Sequence, residues 1–301
     1  MKYSAFLCSY NARYKRGDTT LQIVDQAIAD GFTAIEPFPC DDLHTVEQAQ
    51  YLGGYVRDRG LSVSCYSTCI TLIGPGSEDA ETQVRSYIDQ AAAMGSPYFH
   101  FTIAPELTLP ATGSMGFSEA LKLAVPKLTN LCAYAADRGV TCAFEDQGFY
   151  FNGSANFERF CDAMGDNPFG VVVDVGNIQF VDENIESFIG SVSGRICHVH
   201  LKDYLRKPGS APCPGAGWFL TRRGDYLRDT ICGHGVVNFP AVFRLLAERG
   251  YDGWYSLEYC DEMEPGAVGI PRSLQNLSRY YDDARRSREQ SMLPAVGAVS
   301  K

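Results

Sequence analysis

A single-domain α/β fold, the (β/α)8 TIM barrel, is predicted by three features of the sequence. Six segments write a helix end, a glycine and a short apolar run: ADGFTAIE, DRGLSVSCYS, MGSPYFHFTI, DRGVTCAFE, MGDNPFGVVVD and ERGYDGWYSLE. Eight short runs rich in Val, Ile, Phe and Tyr are each followed by helical sequence, the mark of alternating strands and helices. The 301 residues also suit a barrel, which typically uses about 250.

The strands are placed near 2–8, 32–36, 61–66, 97–103, 140–145, 170–174, 195–201 and 253–258. Gly31, Gly60, Gly95, Gly139, Gly165 and Gly250 suit the left-handed position that closes a helix. Between the strands, apolar residues recur at helical spacing. Leu121, Ala124, Val125, Leu128, Leu131 and Cys132 form one stripe, and Phe239, Val242, Phe243 and Leu246 form another. An open doubly wound sheet is the competing architecture, but no G-x-G-x-x-G opens the first unit and eight units favour closure. The barrel is expected over 1–290, with a loose tail at 291–301. Residues 206–235 interrupt the pattern after the seventh strand. Three prolines and six glycines there argue against a long regular element and for a lid-like, substrate-shaping loop.

Composition narrows the function. A net charge of −10 opposes wrapping a polyanion, because nucleic-acid binding rests on neutralising phosphates. The eleven cysteines include no C-x-x-C pair, and many sit in apolar periodic segments, which reads as reduced thiols in a cytoplasm. The N-terminus has too short an apolar run for a signal peptide, and no segment approaches the ~18 apolar residues of a membrane span.

The chemistry lies where the strands end. Glu36, Glu145, Asp174 and Glu258 each close an apolar run, at the end of a barrel that carries the active site. In CHVHLKDYLR, alternation puts His198, His200 and Lys202 on one face and Cys197, Val199 and Leu201 on the other. Carboxylates converging on one rim repel one another unless a cation joins them. Three carboxylates and an imidazole make a mainly hard donor set, favouring Mn²⁺, Mg²⁺ or Co²⁺ over a thiolate zinc site. His200 is then a ligand, with His198 and Lys202 lining the same cavity.

Over residues of about 20–260, the stretches AIEPF, CAFEDQGFY, VVVDVGN, HVHLKDY and GHGVVNFPAVFRLLAERGYDGWYSLE occur in an order that resembles the xylose isomerase-like barrels. The sugar phosphate isomerase/epimerase and ketose 3-epimerase branch is the most similar. The resemblance implies that Glu145, Asp174, His200 and Glu258 bind one divalent metal: Mn²⁺ first, with Mg²⁺, Co²⁺ or Zn²⁺ as alternatives. Glu145 and Glu258 would double as the acid/base pair, Arg206 would bind substrate and Glu36 would be a further pocket residue. Asn177 stands where ketose epimerases often carry a substrate-contacting histidine, and His234 where relatives often carry an acid; both are taken as substrate-side positions. Lys202, Arg206 and His198 are expected to hold substrate oxygens, with Trp218 over the apolar face of a sugar.

The implied activity is isomerisation or epimerisation of a small sugar or keto-sugar by proton removal beside a carbonyl, in a cytoplasmic homo-oligomer. The alternative on the same scaffold is a lyase acting by β-elimination. That class includes C-glycoside deglycosidases of 3-keto-glucosides and keto-inositol dehydratases. Apurinic endonucleases, also similar, need several zinc ions and many histidines, whereas this chain has five histidines and a charge of −10. Neither a nucleic-acid nor a membrane partner is expected.

Overall fold

The computed structural model of the chain describes residues 1–111, 114–260 and 265–292, with side chains as far as 286. Nine parallel strands form one sheet: β1 (Tyr3–Phe6), β2 (Ala34–Glu36), β3 (Ser62–Val63), β4 (Tyr66–Thr68), β5 (Tyr98–Phe101), β6 (Thr141–Glu145), β7 (Phe169–Asp174), β8 (Ile196–Leu201) and β12 (Tyr255–Leu257). Their order is β3-β2-β1-β12-β8-β7-β6-β5-β4. Because β3 and β4 are consecutive pieces of one extended segment, the two ends of the sheet meet and the barrel nearly closes. The amides of Ser64 and Ser67 carry the contact with the second strand, donating to the carbonyls of Ile35 (2.9 Å) and Pro37 (3.0 Å).

The helices follow the strands as the glycine pattern predicts. They are the single turn α1 (Asn11–Tyr14), then α2 (Thr20–Ala29), α3 (Val46–Asp58), α4 (Ala80–Met94), α5 (Phe117–Ala136), α6 (Ser154–Met164), α7 (Ile185–Val192), α8 (Phe239–Glu248) and α9 (Gly266–Met292). All six helix-ending glycines have φ between 55° and 95°, which side chains with a Cβ seldom adopt. α2 and α3 each start with a capping box, Thr19 with Gln22 and Thr45 with Gln48, which satisfies amides that no helical carbonyl can reach. The stripes on α5 and α8 face the sheet: Ala124, Leu128, Leu131, Cys132, Phe239, Val242, Phe243 and Leu246 are buried, whereas Leu121 and Val125 are partly so. No helix among the described residues is long and apolar enough to cross a membrane.

Two expectations need correction. The 206–235 segment does not lack regular structure: β9 (Asp203–Lys207), β10 (Phe219–Leu220) and β11 (Tyr226–Thr230) form a second, antiparallel sheet. Its prolines and most of its glycines fall in the tip and turns, so the paired stretches escape them. The first two positions expected in the loose tail are helical instead, since α9 runs through 291 and 292; residues 293–301 lie outside the described ones.

Asp203 ties the antiparallel sheet to the barrel. One carboxylate oxygen accepts from the amides of Tyr204 and Val237, the other from those of Gly233 and Gly235, at 2.8–3.0 Å. The group is 1% exposed, so its removal strands four amides together. Asp203→Ala is expected to lower stability by about 3 kcal/mol or more, read by urea unfolding. An unchanged midpoint would refute this role.

Candidate active site and metal centre

Each functional side chain is set by where a strand stops. β6 ends on Glu145 and β7 on Asp174, which lies opposite His200 of β8 in the parallel register. Glu258 follows β12, its amide donating to the carbonyl of Leu201 at 3.1 Å. The four side chains meet: one ligand-type atom from each of Glu145, Asp174, His200 and Glu258 lies within 4.8 Å of the others. His200 Nδ1 is 2.8 Å from Glu145 Oε1 and 3.3 Å from Glu258 Oε2.

The orientation of His200 is fixed from behind. Its Nε2 lies 2.9 Å from Glu36 Oε1, while His198 Nε2 lies 2.8 Å from Glu36 Oε2, and Ser67 also donates to Glu36. That leaves Nδ1 facing the carboxylates, the carboxylate–histidine arrangement that sets the tautomer of a metal ligand. Asp174 supplies the clearest sign of a cation. Its Oδ1 accepts from the amides of Gly176 (2.7 Å) and Asn177 (3.0 Å), but its buried Oδ2 has no hydrogen-bond partner. An orphaned carboxylate oxygen beside two more carboxylates and an imidazole fits a divalent ion.

The electrostatics of the cluster agree. Burial and the neighbouring Glu258 charge push Asp174 well above the usual carboxylate range. Burial lowers the basicity of His200, yet the Glu36 charge and hydrogen bonds to Glu145, Glu258 and Glu36 outweigh it and hold the imidazole well above its usual value. Burial raises Glu145, but the His100 and His200 imidazoles bring it down to about 2. For Glu258, burial is overcome chiefly by Lys202, whose Nζ donates to Oε1 at 2.5 Å.

The residues expected around the substrate are placed unevenly. Glu36 and His198, expected to face a pocket, are fully buried and hydrogen-bonded to each other beneath the cluster. Arg206 is consumed in the antiparallel sheet: it donates to Asp225 (2.8 and 2.9 Å) and Gln179 (3.1 Å), and pairs with Asp182. The Trp218 ring lies under the Lys207 ammonium, 4.9 Å from centroid to Nζ. His234 is exposed on the turn held by Asp203. Asn177 is buried next to Asp174 and its Nδ2 has no partner, while Lys202 sits on Glu258.

A cleft of about 380 Å³ opens over Glu145 and Glu258. Phe6, Phe38 and Pro39 supply its apolar lining. Its polar lining includes two residues that sequence reasoning missed, His100 and Gln147. His100 Nε2 lies 3.5 Å from Glu145 Oε2, and its ring meets that of His200 edge-on at 5.4 Å. The alternation used for HVHLK would have found it: in YFHFT, Phe99 and Phe101 pack outward and His100 points in.

Comparison with known proteins agrees with this architecture. The inosose dehydratase of Clostridium botulinum (strain Alaska E43 / Type E3) is 27% identical over 214 residues, 68% of this chain and 70% of that protein. An L-ribulose 3-epimerase superposes with a TM-score of 0.73 at 14% identity, covering 99% of both chains. The IolI protein, whose structure contains a zinc atom, gives 0.71 at 16% identity over 95% of this chain and 99% of that one. The model of the xylose isomerase-like TIM barrel matches residues 24–280, and the chain belongs to that family.

Proposed function

We propose that the chain is a divalent-metal-dependent enzyme that removes a proton beside the carbonyl of a keto-sugar and returns it, as an isomerase or epimerase. One observation carries this reading: Glu145 and Glu258, carried by strands with β7 and β8 between them, reach the same four-residue cluster and line the same cleft. Glu145, Asp174, His200 and Glu258 would hold the ion, with Mn²⁺ the first candidate and Mg²⁺, Co²⁺ or Zn²⁺ the others. A bound divalent cation supplies Lewis acidity at the carbonyl oxygen, which acidifies the neighbouring C–H.

The side chains divide the remaining work. Lys202 keeps Glu258 ionised, ready to take a proton from one face of the carbon. Glu145, once protonated, can return one to the opposite face. Glu36 holds His200 in register throughout. Asn177 Nδ2 and Lys202 are candidate donors to substrate oxygens.

A second reading is favoured by the 27% identity to an inosose dehydratase. The same proton abstraction, followed by loss of a β-hydroxyl as water, makes a lyase. Incubating Mn²⁺-loaded protein in D₂O with ketoses, keto-inositols and 3-keto-glucosides separates the two. Epimerisation or isomerisation returns an isomer carrying deuterium; elimination gives a product lighter by one water or releases an aglycone. No deuterium uptake and no product from any of them would end both readings.

The raised proton affinities of Asp174 and His200 make a further prediction. An ion entering the cluster displaces protons from both, so its affinity rises with pH. Calorimetry of Mn²⁺ binding in buffers of different ionisation enthalpy should register proton release. An enthalpy independent of buffer would contradict this assignment.

A further inference from the structure

The cleft above the cluster carries buried polar atoms that make no hydrogen bond within the protein. His100 is 3% exposed; its Nε2 stands 3.5 Å from Glu145 Oε2, too long for a good hydrogen bond, and its Nδ1 has no partner. Gln147 Oε1, on the same cleft, is buried and also without a partner. Leaving such groups unpaired in a low-dielectric interior is costly, so a ligand that pairs them gains binding energy from them. The hydroxyl-bearing Thr68 and Thr102 line the cleft as well, and Thr102 is occupied by the backbone of Ile70. The apolar lining is provided by Phe6, Phe38 and Pro39, two of them aromatic. One apolar lining and one set of unpaired donors and acceptors match a ring with a C–H face and a hydroxyl-bearing edge.

Charge narrows the ligand further. Among the described residues lining the cleft there is no Lys or Arg, and two are carboxylates. Lys202 is matched by Glu258 and lies 4.0 Å from Asp229; Arg206 is matched by Asp182 and Asp225. A divalent ion together with Glu145, Asp174, Glu258 and Lys202 carries no net charge, so the loaded site has no surplus positive field for a phosphate dianion.

Resting on the proposed keto-sugar reading and deepening it, we infer that the substrate is an unphosphorylated polyhydroxy ketone, with its hydroxyls held by His100 and Gln147. Among the described residues lining the cleft, no Lys or Arg stands ready to receive the phosphate ester of such a sugar.

The test is equilibrium binding, which needs no turnover. Mn²⁺-loaded wild-type protein, His100→Ala and Gln147→Leu are titrated calorimetrically with an inosose, a free ketohexose and the 6-phosphate of that ketohexose. At least one free ligand is expected to bind about tenfold or more tighter than the phosphate ester. Each substitution is expected to weaken that ligand about tenfold, with Mn²⁺ content and unfolding midpoint unchanged, and His100→Gln is expected to restore part of the loss. Equal or tighter binding of the phosphate ester, unchanged affinity in both variants, or no binding of any of the three overturns the inference. Should the free ligand bind as expected while no deuterium is exchanged and no product forms, the reaction reading fails and the subsite stands. Should exchange proceed while both variants bind normally, the reverse holds.

Discussion

Glu145→Gln lowers kcat by roughly 10²–10⁴-fold and leaves the fold intact, if Glu145 acts as an acid/base group. The substitution keeps the size of the side chain and an oxygen able to face His200 Nδ1, but it removes the proton-accepting capacity. Stability does not rest on this residue: the aromatic layer behind it, Phe101, Phe144 and Phe160, is buried and mutually packed. Steady-state kinetics with metal analysis on the same sample reads the effect. A variant that retains bound metal and turns over at a near-normal rate would remove Glu145 from the acid/base role.

Asp174→Asn reduces affinity for the divalent ion by more than ~100-fold, since even partners one step removed from a metal are worth 10–100-fold. The choice of Asn over Ala isolates the cause. An amide oxygen in the Oδ1 position still accepts from the amides of Gly176 and Asn177, so the turn after β7 survives. An NH₂ in the Oδ2 position points a donor where the orphaned acceptor now lies. Metal content by elemental analysis and Mn²⁺ titration read the loss; unchanged content would refute the assignment. Turnover should fall with it.

Much of this was legible in the sequence because local rules and tertiary structure agree. Glycine closes helices for a backbone reason, and all six that punctuate the pattern have positive φ. Acids after apolar runs are carried to one end of a parallel barrel by geometry, which offered Glu36, Glu145, Asp174 and Glu258 together with His200; the family resemblance then singled out Glu145, Asp174, His200 and Glu258, the four that converge. What escaped depends on pairing between distant segments. Glu36 was read as a pocket residue, and only the fold places it under two imidazoles. Arg206 looked like a substrate ligand, but Asp225 in the turn of the antiparallel sheet that the prolines disguised, and Asp182 in the turn after β7, reach it. The third barrel strand breaks at Ser64 and Cys65, where the Ser64 hydroxyl meets Ser4 (2.6 Å) and the Ile35 carbonyl (3.1 Å) inside the barrel. His100 was overlooked because a lone histidine between phenylalanines reads as core until its unpaired nitrogens are seen.

The central claim is that four strand-end side chains share one divalent ion. Anomalous diffraction from a crystal grown with Mn²⁺ tests it most directly. One peak bonded to His200 Nδ1, Asp174 Oδ2 and the carboxylates of Glu145 and Glu258 is the predicted result. A Mn²⁺-soaked crystal with no peak among these four residues, or with the ion held elsewhere, would contradict it.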